Sequence, residues 1–565
     1  MMRYAELVDT YTSLESTSGT LEQTELLVEL LLELEPDQFE PVVRLLRGRV
    51  FAPWEDADIG VSSRGLTTAL AQASGGSAAQ IEALWRDTGD LGLTAEAVMA
   101  DATQRTLMSR PVTVGRVYDG LRDLATIDGA GSRRRRLQTV AGLLSDATPL
   151  EARYLARTVV GHLRLGVGDG LLRDAIVAAF GADAPAAAAH VERAFHLTSD
   201  LAHVASVAAT EGIAGCAAIE LEPFRPVRAM LATKAAGISD GMTAVAPSYD
   251  AVRLERKYDG IRIQLHHVDG ESRLFTRRLA EITRQFPEVL AAAQGALSAE
   301  GAIVDGELVG VDPASGRPVP FQQLSRRIKR KHDIRAIAAE VPVRLFLFDL
   351  LWCDGVSLLD RPLASRIARL EAVCTPTPGA IELATAIDGP SPEAAQAFYD
   401  AAVAAGHEGV MLKNREASYQ PGTRVGVMMK HKPLMEPLDL IITRAQWSEG
   451  RRSAYLGRLF LGCYDPDRDA VCEVGRLSTG YTDAELEMLT DRLLERKQAV
   501  EGRQVRLDQD LLIEVGFEEI QRSDTYGSGY ALRFPRYRRM RPDLGPSDAA
   551  TLAEVAAAYD AQGAS

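Results

Sequence analysis

The most informative stretch of the sequence is Glu255-Arg256-Lys257-Tyr258-Asp259-Gly260-Ile261-Arg262. Lys257 lies just before a glycine turn that leads into an apolar strand. A lysine held close to arginines has its charged form disfavoured, which lowers its pKa from about 10.4 and turns its amine into a nucleophile. The stretch therefore predicts a nucleophilic Lys257. Taken alone, KxDG is a short pattern, and a β-turn with a surface lysine is the alternative interpretation.

Lysine is rare in this chain. The 63 basic residues comprise 8 lysines and 55 arginines, so arginine serves wherever a generic positive charge suffices. A retained lysine is expected to do what a permanently charged guanidinium cannot. Four of the eight lysines fall in the motifs described below: Lys257, Lys413, Lys430 and Lys432.

The residues before this stretch predict a helical domain. Residues 21–34 and 150–165 carry leucines at helical spacing, and alanine-rich segments add helix propensity. The chain changes character at Pro223-Phe224-Arg225-Pro226, because two close prolines suit a linker. We therefore predict an all-α domain over residues 1–222.

Strand patterns dominate the rest of the chain. Residues 261–265, 303–309 and 343–348 alternate or run apolar, with helical segments at 361–373 and 392–405 between them, which indicates an α+β domain over residues 223–432. From residue 433 to 565, short strands and one helix at 482–500 suit a β domain of the OB type. The predicted fold class is therefore multidomain: all-α, then α+β, then an OB-fold.

Composition excludes several classes of protein. The 565 residues are 46% hydrophobic and 25% charged, an ordinary globular composition without the unbroken apolar run of a membrane helix or a signal peptide, so a cytoplasmic protein is expected. The five cysteines form no CxxC pair, which argues against a structural zinc site. No P-loop or GxGxxG motif is present. The net charge of −15 alone points away from nucleic acid, but local basic runs decide such binding.

Six further motifs follow Lys257 in a fixed order: Thr276-Arg277-Arg278-Leu279, Asp305-Gly306-Glu307, Phe346-Leu347-Phe348-Asp349, His407-Glu408-Gly409-Val410-Met411-Leu412-Lys413, Met429-Lys430-His431-Lys432 and Arg533-Phe534-Pro535-Arg536. This ordered set resembles the ATP-dependent DNA ligases of the covalent nucleotidyltransferase superfamily. Val427 departs from the aromatic often found before the fifth motif of that family.

The resemblance extends over most of the chain. Residues 225–232 resemble the family's entry into its adenylation domain, and residues 163–170 resemble part of the helical DNA-binding domain of archaeal and eukaryotic-type ligases. The abundance of alanine and arginine fits a GC-rich bacterial genome. The resemblance implies a monomeric enzyme, located in the cytoplasm with the nucleoid, that uses ATP and Mg²⁺ to seal nicks in double-stranded DNA.

The resemblance also implies the chemistry. Lys257 would attack the α-phosphate of ATP to form lysyl-AMP. The AMP would pass to a DNA 5′-phosphate, and the 3′-hydroxyl of the nick would displace it. All three steps are in-line displacements at phosphorus that need positioned cations and little else.

The family's site residues carry over by motif. Lys430 and Lys432, two apart on a predicted strand, face one side and can neutralise the α-phosphate. Glu307 and Glu408 would hold Mg²⁺, with Glu307 alternatively at the ribose. The other nucleotide-binding residues implied are Glu255 at the adenine edge, Phe348 stacked on adenine, Arg262, Arg277 and Arg424 at phosphate or ribose, and Arg533 and Arg536 at the pyrophosphate. A one-residue slip would exchange Arg277 with Arg278, and Phe348 could instead be simple core.

DNA contacts are expected to be spread over the helical and OB-type domains. Arg133 and Arg134 could bind phosphates without reading sequence. Arg164, Gly166 and Gly168 precede a predicted helix start, where backbone N–H groups can face a phosphate. An ordinary interhelical loop and a solvated basic face are the alternatives.

Other functions share part of this pattern. An RNA ligase or an mRNA-capping enzyme uses the same lysine chemistry, but the long helical domain and the RFPR ending favour a DNA ligase. An NAD⁺-dependent ligase is disfavoured by the missing zinc-type cysteines. A non-catalytic DNA-clamp module that retains the fold is disfavoured by the complete set of lysines and acids.

Overall fold

The computed structural model describes residues 2–102, 111–181, 186–328, 330, 332–433, 435–448 and 452–564. Across these residues a helical region is followed by an α+β region with two sheets and then by a strand-rich region with one inserted helix. The predicted order of domain types is confirmed. The boundaries at 222/223 and 432/433 stay predictions.

Helices dominate up to residue 218. Their bounds are α1 Tyr4–Ser16, α2 Thr20–Glu33, α3 Phe39–Leu46, α4 Ser63–Ser74, α5 Ala78–Thr88, α6 Leu91–Ala100, α7 Val114–Asp123, α8 Ser132–Asp146, α9 Pro149–Val159, α10 Asp169–Phe180, α11 Ala187–Thr198 and α12 Leu201–Ala218. The pattern at 21–34 is helix α2, but the helix expected over 150–165 ends at Val159. Gly161 there adopts a left-handed φ of 72°, a conformation that favours glycine and stops the helix.

Helix α12 meets the length and apolarity of a membrane span, which the sequence had led us not to expect. Half of this window is buried inside the protein, and the helix packs against α3, α10 and α11. Its regular geometry is interrupted at Gly212. These contacts make α12 a core helix of the helical domain.

The linker is fastened to the second domain by side chains of strand β3 (Ile261–Val268). Gln264 bonds both the N–H and the C=O of Val227, at 2.9 and 2.7 Å. The N–H of Phe224 donates to Nδ1 of the buried His266 at 2.9 Å. The last helix of the region, α12, ends at Ala218, ahead of the two prolines, and β3 holds the linker residues in place.

The α+β region contains two sheets with helices on their outer faces. Its elements are β1 Leu231–Lys234, α13 Ile238–Val245, β2 Val252–Lys257, β3 Ile261–Val268, β4 Glu271–Thr276, α14 Pro287–Ala296, β5 Gly301–Gly310, α15 Phe321–Ile328, α16 Ile334–Glu340, β6 Val343–Cys353, β7 Val356–Ser357, α17 Leu363–Val373, β8 Ile381–Leu383, β9 Ala386–Asp388, α18 Pro392–Ala404, β10 Gly409–Asn414 and β11 Arg424–His431. The first sheet has the order β1-β11-β10-β2-β9. The second has the order β4-β3-β5-β6-β7, with β8 beside β6.

Strand alternation separates core from site in both sheets. In the first sheet, Leu254, Val410 and Leu412 point to a core shared with α13 and α18. In the second, a run of apolar residues including Ile263 and Leu345 packs against α14 and α17. The opposite faces carry the charged motif residues, so the site lies between the two sheets.

The last region is built mainly of strands. Its elements are β12 Leu438–Gln446, β13 Arg458–Asp465, β14 Ala470–Leu477, α19 Asp483–Glu495, β15 Lys497–Glu501, β16 Gln504–Leu507, β17 Leu512–Gly516, β18 Glu519–Arg522, β19 Tyr530–Arg533, β20 Arg536–Met540 and α20 Leu552–Ala564. The predicted helix over 482–500 ends at Glu495, and residues 497–501 pair with β16 instead. Strand pairing thus overrides the helical propensity of those last residues.

Candidate active site

Lys257 is the last residue of β2 and points between the two sheets. The register pairs it with Gly409 of β10. Gly409 has a φ of 130°, and a Cβ there would lie 2.2 Å from the carbonyl oxygen of His431, so only glycine fits this close approach. The side chain of Lys257 is 19% exposed and donates a hydrogen bond to Oε2 of Glu408. Its amine is therefore accessible and held in place.

The surroundings of Lys257 contradict the predicted lowering of its pKa. Burial lowers the pKa, but the charges of Glu408, Glu307 and Asp259 raise it above the usual value. The arginines expected to lower it act elsewhere. Arg256 falls on the opposite face of β2, as strand alternation requires, and the charge of Arg262 is matched by Asp305. Lys257 is thus an ammonium in a cluster of acids and must lose its proton before it can attack.

Glu408 joins two lysines. Its Oε1 accepts a hydrogen bond from Lys432 at 2.8 Å, while its Oε2 faces Lys257. Burial raises the pKa of Glu408, but the charges of Lys257 and Lys432 lower it to about 2. Lys430 lies on β11, opposite Met411 of β10, and burial together with the charges of Lys257 and Lys432 lowers its pKa. The predicted lysine pair is therefore next to the nucleophile, although Lys432 lies one residue past the end of β11.

Two further carboxyl groups face Lys257. Glu307 of β5 is half-buried, and burial raises its pKa to about 7 against the charges of Lys257 and Arg262. Asp259 is also half-buried, and burial together with the charge of Glu408 raises its pKa to about 6. Its Oδ2 accepts the N–H of Phe321 at 3.1 Å. Because burial disfavours their ionised forms, a cation bound beside these carboxyl groups would favour the ionisation of both.

This arrangement predicts a stability effect for Glu307→Gln. The folded-state pKa of Glu307, about 7, exceeds its usual 4.5. The folded protein therefore binds more protons than the unfolded chain between these values, and stability falls as pH rises through that window. Removing the titrating group should raise the free energy of unfolding at pH 8 by about 1–2 kcal/mol and leave it nearly unchanged at pH 4.5.

Urea unfolding at both pH values measures the effect. Glu371→Gln, a change at an exposed glutamate of α17, is the matched control and should show no such difference. Equal stabilities of Glu307→Gln and the unchanged protein at pH 8 would contradict the raised pKa.

Phe348 marks the apolar part of the site. Along β6, Val343, Leu345 and Leu347 are buried, whereas Phe346 and Phe348 on the other face are half-buried. Phe348 is therefore partly accessible, although it also packs against a small apolar cluster that contains Tyr258 and Val309. Tyr258 stacks on Phe346 with ring centroids 4.2 Å apart. These rings form a platform against which a flat base could stack.

Glu255 is held beside this platform by two cations. Its Oε1 accepts a hydrogen bond from Arg253 at 2.8 Å, and its Oε2 is paired with Lys413. The ammonium of Lys413 lies 4.5 Å from the ring centroid of Phe348. Glu255 is only 2% exposed. The structure thus brings the two predicted adenine contacts together, with Lys413 between them.

Arg262 belongs to a buried network rather than standing free. It donates to Asp305 at 2.7 Å and to the carbonyl oxygen of Met230 at 2.6 Å. Tyr419 donates to the same Asp305 oxygen at 2.8 Å and accepts the N–H of Met230 at 3.1 Å. The Nε of Arg262 is buried without an acceptor, and its guanidinium lies 5.5 Å from the ring centroid of Phe348. The network fixes Arg262 on the inner face of the second sheet.

Arg277 and Arg424 lie near the edge of the site. Arg277 follows β4, and its N–H donates to the carbonyl oxygen of Arg262 at 3.1 Å. Burial and the charges of Arg262 and Arg424 lower the pKa of Arg277, which Glu307 opposes. Arg424 is exposed and donates to the carbonyl oxygen of Ala232 at 2.5 Å. Arg277 and Arg278 are both exposed, so the choice between them stays a prediction.

The C-terminal domain reaches the site through Arg533. This side chain pairs with Glu519 at 2.6 Å and lies 5.9 Å from the ring centroid of Phe321. Burial lowers the pKa of Arg533, but the charges of Glu519, Asp259 and Glu408 outweigh burial and raise it overall. Glu518 lies 4.0 Å from the ammonium of Lys432. The domain is thus closed over Lys257.

Arg536 is separated from Arg533 by a turn. Phe534 there has a φ of 50°, in the left-handed region, and is 58% exposed. Arg536 is exposed at the start of β20, and no ion pair links it to the site within the part of the chain that the structure describes. The structure therefore brings only the first of the two predicted arginines to Lys257.

The predicted DNA-binding residues lie on the helical domain, whereas Lys257 lies in the α+β region. Arg133 and Arg134 are exposed in the first turn of α8. Arg164 has a φ of 62° and pairs with Asp90 at 3.0 Å. Gly166 has a φ of 75°, and Gly168 is the N-cap of α10, as the predicted helix start requires.

Several residues of the site were not assigned a role from sequence. Asp259 and Lys413 stood inside quoted motifs, and the rarity of lysine could have marked the second. Asp305 begins the DGE motif. Tyr419 and Glu519 carry no local signal, because their partners lie far away in the chain.

Three family models of known proteins match successive parts of the chain. The family model "ATP dependent DNA ligase domain" matches residues 229–432. "DNA ligase N terminus" matches residues 3–177, and "ATP dependent DNA ligase C terminal region" matches residues 452–544. The three matches follow the order of the three structural regions.

Several relatives align with nearly the whole chain. The chain is 38% identical to a DNA ligase of Thermococcus onnurineus over 561 residues, covering 99% of this chain and 98% of that protein. It is 40% identical to a DNA ligase of Methanothermobacter thermautotrophicus over 554 residues, covering 98% of each. A solved structure titled "Pmar-Lig_PreS3" matches 95% of this chain and 99% of its own at 16% identity, with a TM-score of 0.52, which supports the fold alone.

Proposed function

The chain belongs to the family of ATP-dependent DNA ligases, and on that premise we propose that Lys257 is its adenylated nucleophile. The protein is an enzyme that seals nicks in DNA with ATP, an activity that DNA repair and replication use. The observation that carries the assignment to Lys257 is its place between the sheets. It shares the carboxylate of Glu408 with Lys432, and the charge of Lys430 acts close by.

The proposed reaction has three steps. Lys257 first loses its proton to solvent, and Glu408, whose pKa is lowered to about 2, orients the amine and does not accept the proton. The amine attacks the α-phosphorus, an N–P bond forms, and the bond to the bridging oxygen breaks as pyrophosphate leaves. An oxygen of the DNA 5′-phosphate then attacks the same phosphorus and releases Lys257. Finally the 3′-hydroxyl attacks the activated 5′-phosphate, and AMP leaves.

The nucleotide contacts divide between the two sheets. Phe348 would stack on adenine. Glu255, which is paired with Lys413 beside the Phe348 ring, would lie at the edge of the adenine ring. Lys430 and Lys432 would move from Glu408 and its neighbours to the α-phosphate oxygens, where their charge stabilises the transition state. Arg262, Arg277 and Arg424 would face the ribose or phosphates, and Arg533 and Arg536 the pyrophosphate.

We propose that Mg²⁺ binds at Glu307, with Asp259 close by. Burial, together with the charge of Glu408, raises the pKa of both groups, and a cation bound beside them would stabilise their ionised forms. Glu408 is the counter-ion of two lysines and would have to exchange them to serve as the second ligand that we predicted. No group of three or more acidic, His or Cys side chains suited to a metal occurs in the described residues. ATP phosphates and water would therefore complete the shell, as Mg²⁺ prefers. The metal would neutralise phosphate charge.

Chelation tests this proposal. We expect transfer of label from ATP to the protein to stop in excess EDTA and to return with excess Mg²⁺, because phosphate charge would otherwise repel the acid cluster. Glu307→Gln should require a higher Mg²⁺ concentration for half-maximal labelling, by about tenfold. Labelling that persists in EDTA would remove the metal from the adenylation step.

Three further proposals concern the DNA substrate, the oligomeric state and the location of the protein. We propose nicked duplex DNA as substrate, contacted without sequence preference by Arg133, Arg134, Arg164, Gly166 and Gly168. We also propose a monomer in the cytoplasm, associated with the nucleoid. Light scattering after gel filtration tests whether the protein is a monomer. The position of a fluorescent fusion relative to stained DNA tests the proposed location. The RNA-ligase, capping and clamp alternatives are not favoured by full-length DNA ligase relatives.

A further inference from the structure

An arginine-lined cleft lies between the helical domain and the adenylation domain. Its volume is about 370 Å³. The helical domain contributes Arg47 and Arg49, which follow α3, and the adenylation domain contributes Arg228 and Arg278. The cleft is lined from two domains, so a ligand there would contact both.

A single carboxylate serves two of these arginines. Asp169, the first residue of α10, has Oδ1 2.7 Å from Arg47 and Oδ2 3.1 Å from Arg228. The guanidinium of Arg228 lies 4.0 Å from the ring centroid of Phe195, and its Nε is buried without an acceptor. Burial and the charges of Arg47 and Arg49 lower the pKa of Arg228 even though Asp169 raises it. The cluster therefore carries more positive charge than Asp169 matches.

Two further guanidiniums of the cleft differ from that of Arg44, which also lines the cleft and pairs with Asp200. Arg49 and Arg278 are exposed, and no salt bridge involves either of them within the described residues. The cleft also continues toward the catalytic site, because Arg277 lines it and donates its N–H to the carbonyl oxygen of Arg262. A chain of phosphates bound here would run on toward the nucleotide face.

We propose that this cleft binds the phosphate backbone of duplex DNA and that Asp169 occupies the place of a phosphate until DNA arrives. Guanidinium forks match phosphate oxygens and read no sequence, as a nick-sealing enzyme needs. The helix start at Asp169 adds backbone N–H groups facing the same position. This inference rests on the proposed function and adds residues 47, 49, 228 and 278 to its DNA-binding surface.

Three variants of the full-length enzyme test the proposal. Arg49→Ala removes an unpaired charge, Asp169→Asn removes the internal competitor, and Arg369→Ala removes an exposed arginine on α17, paired with Asp354, as the control. Binding of fluorescent nicked duplex is measured by anisotropy over a series of salt concentrations. We expect Arg49→Ala to weaken binding about five- to tenfold and to reduce the salt slope by about 0.9. Asp169→Asn should bind DNA about two- to fivefold more tightly, and Arg369→Ala should match the unchanged enzyme.

Adenylation by ATP without DNA separates this proposal from the assignment of Lys257. It should be unchanged in all three variants, and its absence in the unchanged enzyme would defeat the proposed function whatever the binding data show. A salt slope equal in Arg49→Ala and Arg369→Ala would overturn the cleft as a DNA site. The cleft would also be overturned as a DNA site if Arg49→Ala weakened the binding of inorganic pyrophosphate but left the affinity for DNA unaltered. Weaker DNA binding by Asp169→Asn would overturn the role of Asp169 as a competitor. Its function would then be to link Arg47 of the helical domain to Arg228 of the adenylation domain.

Discussion

Lys257→Ala and Lys257→Arg are both expected to abolish formation of the protein–AMP adduct, a loss of more than about 10⁴-fold. Alanine removes the nucleophile. Arginine keeps the positive charge beside Glu408 but cannot supply a neutral amine, because guanidinium stays protonated. The measurement is covalent transfer of label from α-labelled ATP, followed by intact-protein mass.

The fold should survive both changes. Glu408 keeps Lys432 as a partner in either variant, so no carboxylate is left buried and unpaired. Lys497→Ala, at an exposed lysine of β15, is the matched control and should label normally. Adduct formation by Lys257→Arg would show that another side chain is the nucleophile.

Arg533→Ala should slow adenylation by about 10²–10³-fold, the usual cost of removing one positioned donor from a developing charge. Arg533 is the residue of the RFPR turn that lies among Asp259, Glu408 and Glu519, where the departing pyrophosphate would pass. Sealing of a nick that is already adenylated releases no pyrophosphate, so that step should fall by less than about tenfold.

The same pair of assays ranks the two arginines. Arg536→Ala should also affect adenylation more than sealing, but less than Arg533→Ala, because Arg536 is exposed outside the closed site. Arg533→Lys keeps a charge without the fork and should recover part of the rate. Equal losses in adenylation and in sealing for Arg533→Ala would contradict the role at the leaving group.

The sequence predicted the architecture well, because its patterns are local. The alternation along β6 depends on neighbouring residues, and the structure contains this strand where it was expected. The rarity of lysine singled out Lys257, Lys430 and Lys432, which the structure brings together. Helix ends were less predictable. Gly161 and the pairing of β15 with β16 ended two helices early.

The electrostatics of the site could not be predicted in the same way. The sequence places arginines next to Lys257, but strand alternation turns Arg256 away, and residues 50 and 151 positions further on, Glu307 and Glu408, supply the charges that matter. The pKa of Lys257 is accordingly raised and not lowered. The choice between Arg533 and Arg536 depends on how the last domain closes, and the pairing of Tyr419 with Asp305 spans 114 residues.

The most direct test of the account supplies α-labelled ATP and Mg²⁺ to the purified protein, with NAD⁺ in a parallel reaction, and then adds nicked duplex DNA. We predict covalent label from ATP but not from NAD⁺, attached at Lys257, and its discharge with sealing when nicked DNA is added. Label that only RNA discharges would keep Lys257 and contradict the DNA substrate. A protein that takes up no label, and carries no AMP when isolated, would contradict the nucleophile itself.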